Sequence, residues 1–109
     1  VHEILLTLNS FQIIMLVQII KLKSDLPEKE LLKRARERET HFKALPGLLQ
    51  KYYVRRDQPG HFAGIYIWDS KESMQAFRQS DLAASIPEAY EILEPPQVET
   101  LDMLFKLRD

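Results

Sequence analysis

The chain has 109 residues, 45% of them hydrophobic and 28% charged, which is enough for one domain with a single core. Fifteen Lys and Arg against sixteen Asp and Glu leave a formal net charge of -1, so no global electrostatic pull toward nucleic acid or an acidic membrane surface follows. The absence of cysteine excludes disulfides, thiolate chemistry and Cys-based metal sites, and fits a cytoplasmic protein.

The stretch ILLTLNSFQIIMLVQIIKL (4–22) is apolar on average, but Asn9, Ser10, Gln12 and Gln18 interrupt it and no Lys or Arg precedes Lys21. Those features fit neither a membrane span nor a secretory leader. Residues 1–14 read as an upstream extension, or an expression remnant, ahead of a natural start at Met15, and 15–109 as a single domain. MLVQIIKLK (15–23) is short, β-branched and mostly apolar, the pattern of a buried strand.

SDLPEKE then predicts a helix start, with Asp25 as cap, Glu28 completing a capping box and Pro27 tolerated in the first turn. The helix is expected to reach about Ala44, with Leu31, Leu32, Ala35, Phe42 and Leu45 on one stripe, and to stop at Pro46-Gly47. LLQKYYVRR (48–56) and HFAGIYIWD (61–69), joined by the turn signal DQPG, predict an antiparallel hairpin. Asp69 with Glu72 repeats the capping-box spacing before a second helix carrying Met74 and Phe77. Ser80 or Asp81 recaps a further helical stretch, and Pro87 interrupts it. After Glu94-Pro95-Pro96, VETLDMLFKL (98–107) predicts the last strand.

Strand, helix, strand, strand, helix, strand is an α+β order. It predicts a ferredoxin-like βαββαβ plan, a four-stranded antiparallel sheet with the helices on one face. The strands do not alternate cleanly. Phe62, Tyr66 and Trp68 on one parity oppose Ala63, Ile65 and Ile67 on the other, and Leu16, Ile20 and Leu22 oppose Val17 and Ile19. Continuous apolar strands belong to sheets buried on both faces, so a homodimer packing two open sheet faces together is expected. A monomer with a partly apolar open face is the plainer alternative. Parity alone does not say which set lies under the helices.

LPGLLQKYYVRR, GIYIWDSKES and SIPEAYEI, in this order and at this spacing, resemble the dimeric α/β-barrel superfamily, and within it the monooxygenase branch related to the antibiotic-biosynthesis monooxygenases. The resemblance runs from Met15 to Arg108. It implies a homodimer, a pocket between sheet and helices, and oxygenation of small, often aromatic compounds with neither metal nor flavin, so no cofactor is expected.

The residues themselves offer few catalytic signatures. His2, His41 and His61 show no metal-ligand spacing, and there is no Gly-rich phosphate loop, nucleophile elbow or paired-carboxylate signature. Arg38 and Glu39 fall about 60° and 40° either side of Ala35 on an ideal helix, within the stripe that should face the sheet. Charges there pair, snorkel past the sheet edge or line a polar cavity. In the last case Arg38 would anchor an anionic or phenolate oxygen. Glu30 with Arg34, Lys33 with Glu37 and Glu39 with Lys43 read as i,i+4 pairs on a solvated face. Aromatic side chains are core or interface first. Tyr and Trp also keep one hydrogen-bonding group, as a pocket for a hydroxylated aromatic ligand requires.

The expected pocket-lining set is therefore Arg38, Tyr66 and Trp68, backed by Tyr52, Gln50 and Tyr90. No residue is assigned as general base. Haem-degrading relatives resemble the chain at Trp68, but they use a helical His and a first-strand Asn. Ser70 to Leu93 contains no His, and Gln18 stands on the first strand, so haem degradation is disfavoured. The expectation is a cofactor-independent monooxygenase for a small aromatic, quinol-like compound. A non-catalytic dimeric ligand-binding or structural module is the alternative, and isomerase or decarboxylase chemistry in the same pocket is a third.

Overall fold

Among the described residues nine elements follow one another as β1 (Leu16–Lys23), α1 (Glu28–Glu37), α2 (Glu39–Lys43), β2 (Leu48–Arg55), β3 (His61–Trp68), α3 (Lys71–Arg78), α4 (Asp81–Ala84), α5 (Ile86–Ala89) and β4 (Gln97–Asp102). The computed structural model describes residues 15–108, and the expected extension over 1–14, with His2, lies outside them. The sheet is antiparallel throughout in the order β2-β3-β1-β4. β1 runs against β3 from Leu16↔Trp68 to Lys23↔His61, and against β4 from Leu16↔Asp102 to Lys21↔Gln97. This is the ferredoxin-like arrangement that the order of elements predicts.

The two apolar parities of the central strands take different environments. Leu16 and Ile20 of β1, with Phe62, Tyr66 and Trp68 of β3, pack against Leu31, Ala35, Phe42, Met74, Phe77, Ile86 and Tyr90 from the helical side. Val17, Ile19, Ile65 and Ile67 point to the other face and are only half-buried. The larger aromatic side chains lie under the helices because only that layer has depth for them.

Several element ends differ from expectation. The first helix is two, because Arg38 leaves the ladder with φ -100° and ψ 0° and restarts it: its carbonyl accepts from the backbone N–H of both His41 and Phe42. Asp25 does not cap α1. Ser24, buried, accepts from the Leu26 N–H and donates to the Tyr90 carbonyl, and Glu28 turns to Arg55 instead of back to its own helix. The cap of α3 is one residue later than expected: Ser70 accepts from the Ser73 N–H at 3.1 Å. Ser80 caps α4 as expected. Pro87 opens α5, where a missing N–H costs nothing. Leu32 is exposed, off the buried stripe.

The last strand ends at Asp102 rather than at 107. Leu16↔Asp102 is its final pair, and the Met103 N–H donates to the Met15 carbonyl. Leu104, Phe105 and Leu107 project into solvent. Gly47, at φ +80° between α2 and β2, brings the chain tight against α3, and its carbonyl accepts from the Asp69 N–H at 2.8 Å. Among the described residues no helix is long and apolar enough to cross a membrane.

Candidate functional site

Between α1 and the β1, β2 and β3 side of the sheet lies a cavity of about 290 Å³. Ile20, Leu22, Leu31, Phe62 and Ile86 give it apolar walls. Lys51, Tyr53, Tyr66 and Tyr90 bring it the ends of one amine and three phenols. Glu28 and Arg55 stand on its exposed rim and pair through two contacts of 2.6 and 2.8 Å, which hold the Glu28 carboxyl below the usual carboxylate range.

Strand register puts Lys51 there. It pairs with Tyr66 across β2 and β3, and Tyr53 pairs with Gly64, so both residues of β2 face the helices. Gly64 makes the approach possible: a Cβ at that position would stand 2.9 Å from the Tyr66 ring and 3.3 Å from the Lys51 Cε. The Lys51 Nζ lies 3.6 Å from the centroid of the Phe42 ring, 4.4 Å from that of Tyr53 and 4.5 Å from that of Tyr66. Lys51 forms no ion pair among the described residues. Burial, helped by the positive charge of Arg38, lowers its amine to about 7. The aromatic faces pull the other way, since a ring beneath an ammonium stabilises it by about 0.5–2 kcal/mol. The amine is thereby poised between its charged and neutral forms near neutral pH.

Arg38 enters from the joint of α1 and α2. Its Nη2 donates to the Ser85 Oγ at 3.0 Å, and its guanidinium carbon sits 5.6 Å from the ring centroids of both Phe42 and Tyr90. Its Nε and the Tyr90 hydroxyl are buried without a hydrogen-bond partner. Burial raises Tyr90, with Arg38 opposing, pushes Tyr53 up to about 12 and takes Tyr66 well above the ordinary phenol value. All three phenols are therefore neutral donors at physiological pH. The site combines a polar end of two basic groups and three phenols with an apolar body.

The profile of the antibiotic biosynthesis monooxygenase family matches residues 14–87. The chain belongs to that family. No curated protein matches the chain. Among solved structures it is similar to SnoaB, a cofactor-independent oxygenase from Streptomyces nogalater, at 11% identity over 88% of this chain and 99% of that one, with a TM-score of 0.70. It is also similar to the ActVA-Orf6 monooxygenase of Streptomyces coelicolor, solved with nanaomycin D, at 15% identity over 88% and 93%, TM-score 0.67. A protein of unknown function from Nitrosomonas europaea is comparable, at 18% identity over 87% and 94%, TM-score 0.68. Identities this low speak for a shared fold.

Within this antibiotic biosynthesis monooxygenase domain the six residues expected from the sequence separate. Tyr66 and Tyr90 line the cavity, and Arg38 lies against Tyr90 beside it. Trp68 is fully buried below the cavity, stacked on Tyr66 at 6.1 Å and 6°, and its Nε1 donates to the Gln18 Oε1. Gln50 and Tyr52 are not in the cavity wall. They pair with Ile67 and Ile65, so strand alternation turns them to the opposite face of the sheet, where both are exposed. Of the charged pairs, Glu30–Arg34 forms at 3.2 Å and Glu39–Lys43 at 3.6 Å, with Arg36 also on Glu39.

Lys51 and Tyr53 are absent from the set expected from the sequence. Both stand one residue from the chosen Gln50 and Tyr52, and the irregular pairing between Leu48 and Gln50 brings them, rather than their neighbours, to the cavity side. His41 is exposed and His61 half-buried, and no three potential metal ligands converge among the described residues.

Proposed function

We propose that the chain is a monooxygenase acting on a small aromatic, quinol-like compound held in the cavity between sheet and helices, and that it works as a homodimer joined through the open sheet face. Membership of the family supports the reaction class. The observation that carries the substrate class is the cavity itself, with apolar walls along its length and Lys51, Tyr53, Tyr66 and Tyr90 gathered on its polar side. A ring fits the walls, and a phenolic oxygen fits the donors.

In the cofactor-independent mechanism the bound phenol loses a proton and its electron-rich ring reduces O₂. One oxygen atom enters the ring as a carbonyl and the other leaves as water. The protein supplies a dry site, donors aimed at the developing oxyanion and shielding of the intermediate. Tyr66 and Tyr90 serve as ligand contacts, Arg38 orients Tyr90 and adds positive potential, and Trp68 supports Tyr66 from beneath. The half-buried Val17, Ile19, Ile65 and Ile67 are the surface a second copy would cover. A cytoplasmic location accords with the cysteine-free sequence.

Oxygen consumption by the purified protein with a panel of hydroquinones and naphthols, without added metal or flavin, tests the reading. Catalysed uptake with one oxygen atom of O₂ incorporated into the ring is expected. Quinol binding without uptake would leave a ligand-binding module and overturn the oxygenase.

A further inference from the structure

We propose that Lys51 is a catalytic residue of this cavity: its ε-amine takes the proton of an acidic phenolic or enolic hydroxyl, and the ammonium so formed holds the resulting oxyanion. The inference rests on the cavity being the ligand site. It narrows the substrate to compounds whose hydroxyl ionises near neutral pH, such as polyhydroxylated or carbonyl-conjugated aromatics.

Most titratable groups around the cavity are unsuited to act as a base. A base must be unprotonated for part of the time near neutrality and must reach the ligand. Arg38, facing Lys51 from the helical side, does not lose its proton in proteins. Tyr53 on the same strand, partly exposed, and the buried Tyr66 on β3 and Tyr90 after α5 are phenols raised above their ordinary value and act as donors. Glu28 is held on the rim by Arg55. Glu39, on the helix that carries Phe42, is taken by Arg36 at 2.9 Å and Lys43 at 3.6 Å. His41 is exposed. Only Lys51 lines the cavity with a basic nitrogen free of an anionic partner among the described residues.

Its setting suits a proton that comes and goes. A buried amine beside a guanidinium favours its neutral form, and three aromatic faces within 4.5 Å receive the cation once it forms. Transfer leaves a phenolate beside an ammonium in a poorly solvated site, where the attraction between them is strong. The step moves one proton from oxygen to nitrogen and no electrons, so it needs no co-reactant.

Two measurements test this on the purified protein. The first follows the side-chain carbon resonances of ¹³C-labelled lysine through a pH titration, with Lys51 assigned by its loss in K51R. One lysine titrating near neutrality is expected, and Lys51 titrating with the surface lysines would overturn the proposal. The second uses 4-nitrophenol, colourless when protonated and yellow when ionised, mixed with the protein at a pH where the free probe is mostly protonated. The wild type should turn it yellow, whereas K51M, which keeps an unbranched apolar stem without the amine, should bind it colourless or not at all. Equal colour with K51M, or no colour with the wild type, would overturn it.

Quinol oxidation separates this inference from the oxygenase reading. Unchanged turnover and pH profile in K51M would remove Lys51 from catalysis and leave the oxygenase standing. A neutral Lys51 that ionises the probe in a protein with no oxygen uptake would do the reverse.

Discussion

Trp68 donates its indole N–H to the Gln18 side-chain oxygen at 2.9 Å, and neither residue has measurable exposure to solvent. A buried donor and a buried acceptor thus satisfy each other across β3 and β1, under the ring of Tyr66. Substituting either one strands the other. Gln18→Leu and Trp68→Phe should each destabilise the fold by about 1–3 kcal/mol, because a buried polar group is left without a partner. The double variant should cost less than the sum of the two, since nothing is then stranded. Urea unfolding of the three variants checks this. Strict additivity would mean that the bond contributes nothing of its own.

Gly47 should tolerate no side chain. Its φ of +80° is costly for any L-residue, and a Cβ there would collide with the Ser73 side chain and the Asp69 carboxyl. Gly47→Ala is expected to lower stability by about 2 kcal/mol or more, seen as a lower melting temperature. Gly60→Ala meets the same φ and would bring its Cβ to 2.9 Å from the Ser24 carbonyl oxygen, so it should be destabilising as well.

The lowered amine of Lys51 has a defined effect on stability against pH. In the unfolded chain the amine titrates near the ordinary lysine value, whereas in the folded protein it is lowered to about 7. Between those values the unfolded state binds more protons, so stability rises with pH. The destabilisation is fully present below the folded value, and it is gone above the unfolded one. Lys51→Met should therefore be more stable than the wild type in mild acid. The difference in melting temperature should shrink as pH rises through the window, and a constant difference would contradict the ionisation assigned to the site.

On the open face, Ile65 and Ile67 stand beside Val17 and Ile19 on the neighbouring strand. Ile67→Asp places a carboxylate in the middle of that patch, away from the cavity. In a homodimer joined through this face the substitution should give monomers in sedimentation at micromolar concentration, with the monomer fold retained by circular dichroism. Wild-type protein sedimenting as a monomer would remove the dimer from the functional account.

The order of elements was legible because it depends on local signals. Periodicity places Leu31, Ala35 and Phe42 on one stripe, and DQPG closes the hairpin between β2 and β3. The break at Arg38 was not legible, since no Gly or Pro marks it and helical spacing continues on both sides. The cap of α3 slipped by one residue for a related reason: Asp69 and Ser70 stand side by side, and both types cap well. The faces were harder still. In β3 both parities are apolar, so only the packing of helices over Phe62, Tyr66 and Trp68 distinguishes them. In β2 the pairing with β3 is irregular between Leu48 and Gln50. That one extra residue decides that Lys51 and Tyr53, rather than Gln50 and Tyr52, reach the cavity, and composition carries no trace of it.

Gly64 gives this last choice a chemical meaning. The absent methyl group leaves a slot on β3 into which the stem of Lys51 folds, against Tyr66. Alanine at this position would press on the Lys51 Cε and tilt the chain outward, returning its amine to water and to the charge of a surface lysine. The ionisation of a nitrogen on one strand is thus governed by a single missing carbon on the next. Gly64→Ala should therefore shift the ionisation of Lys51 toward that of a surface lysine.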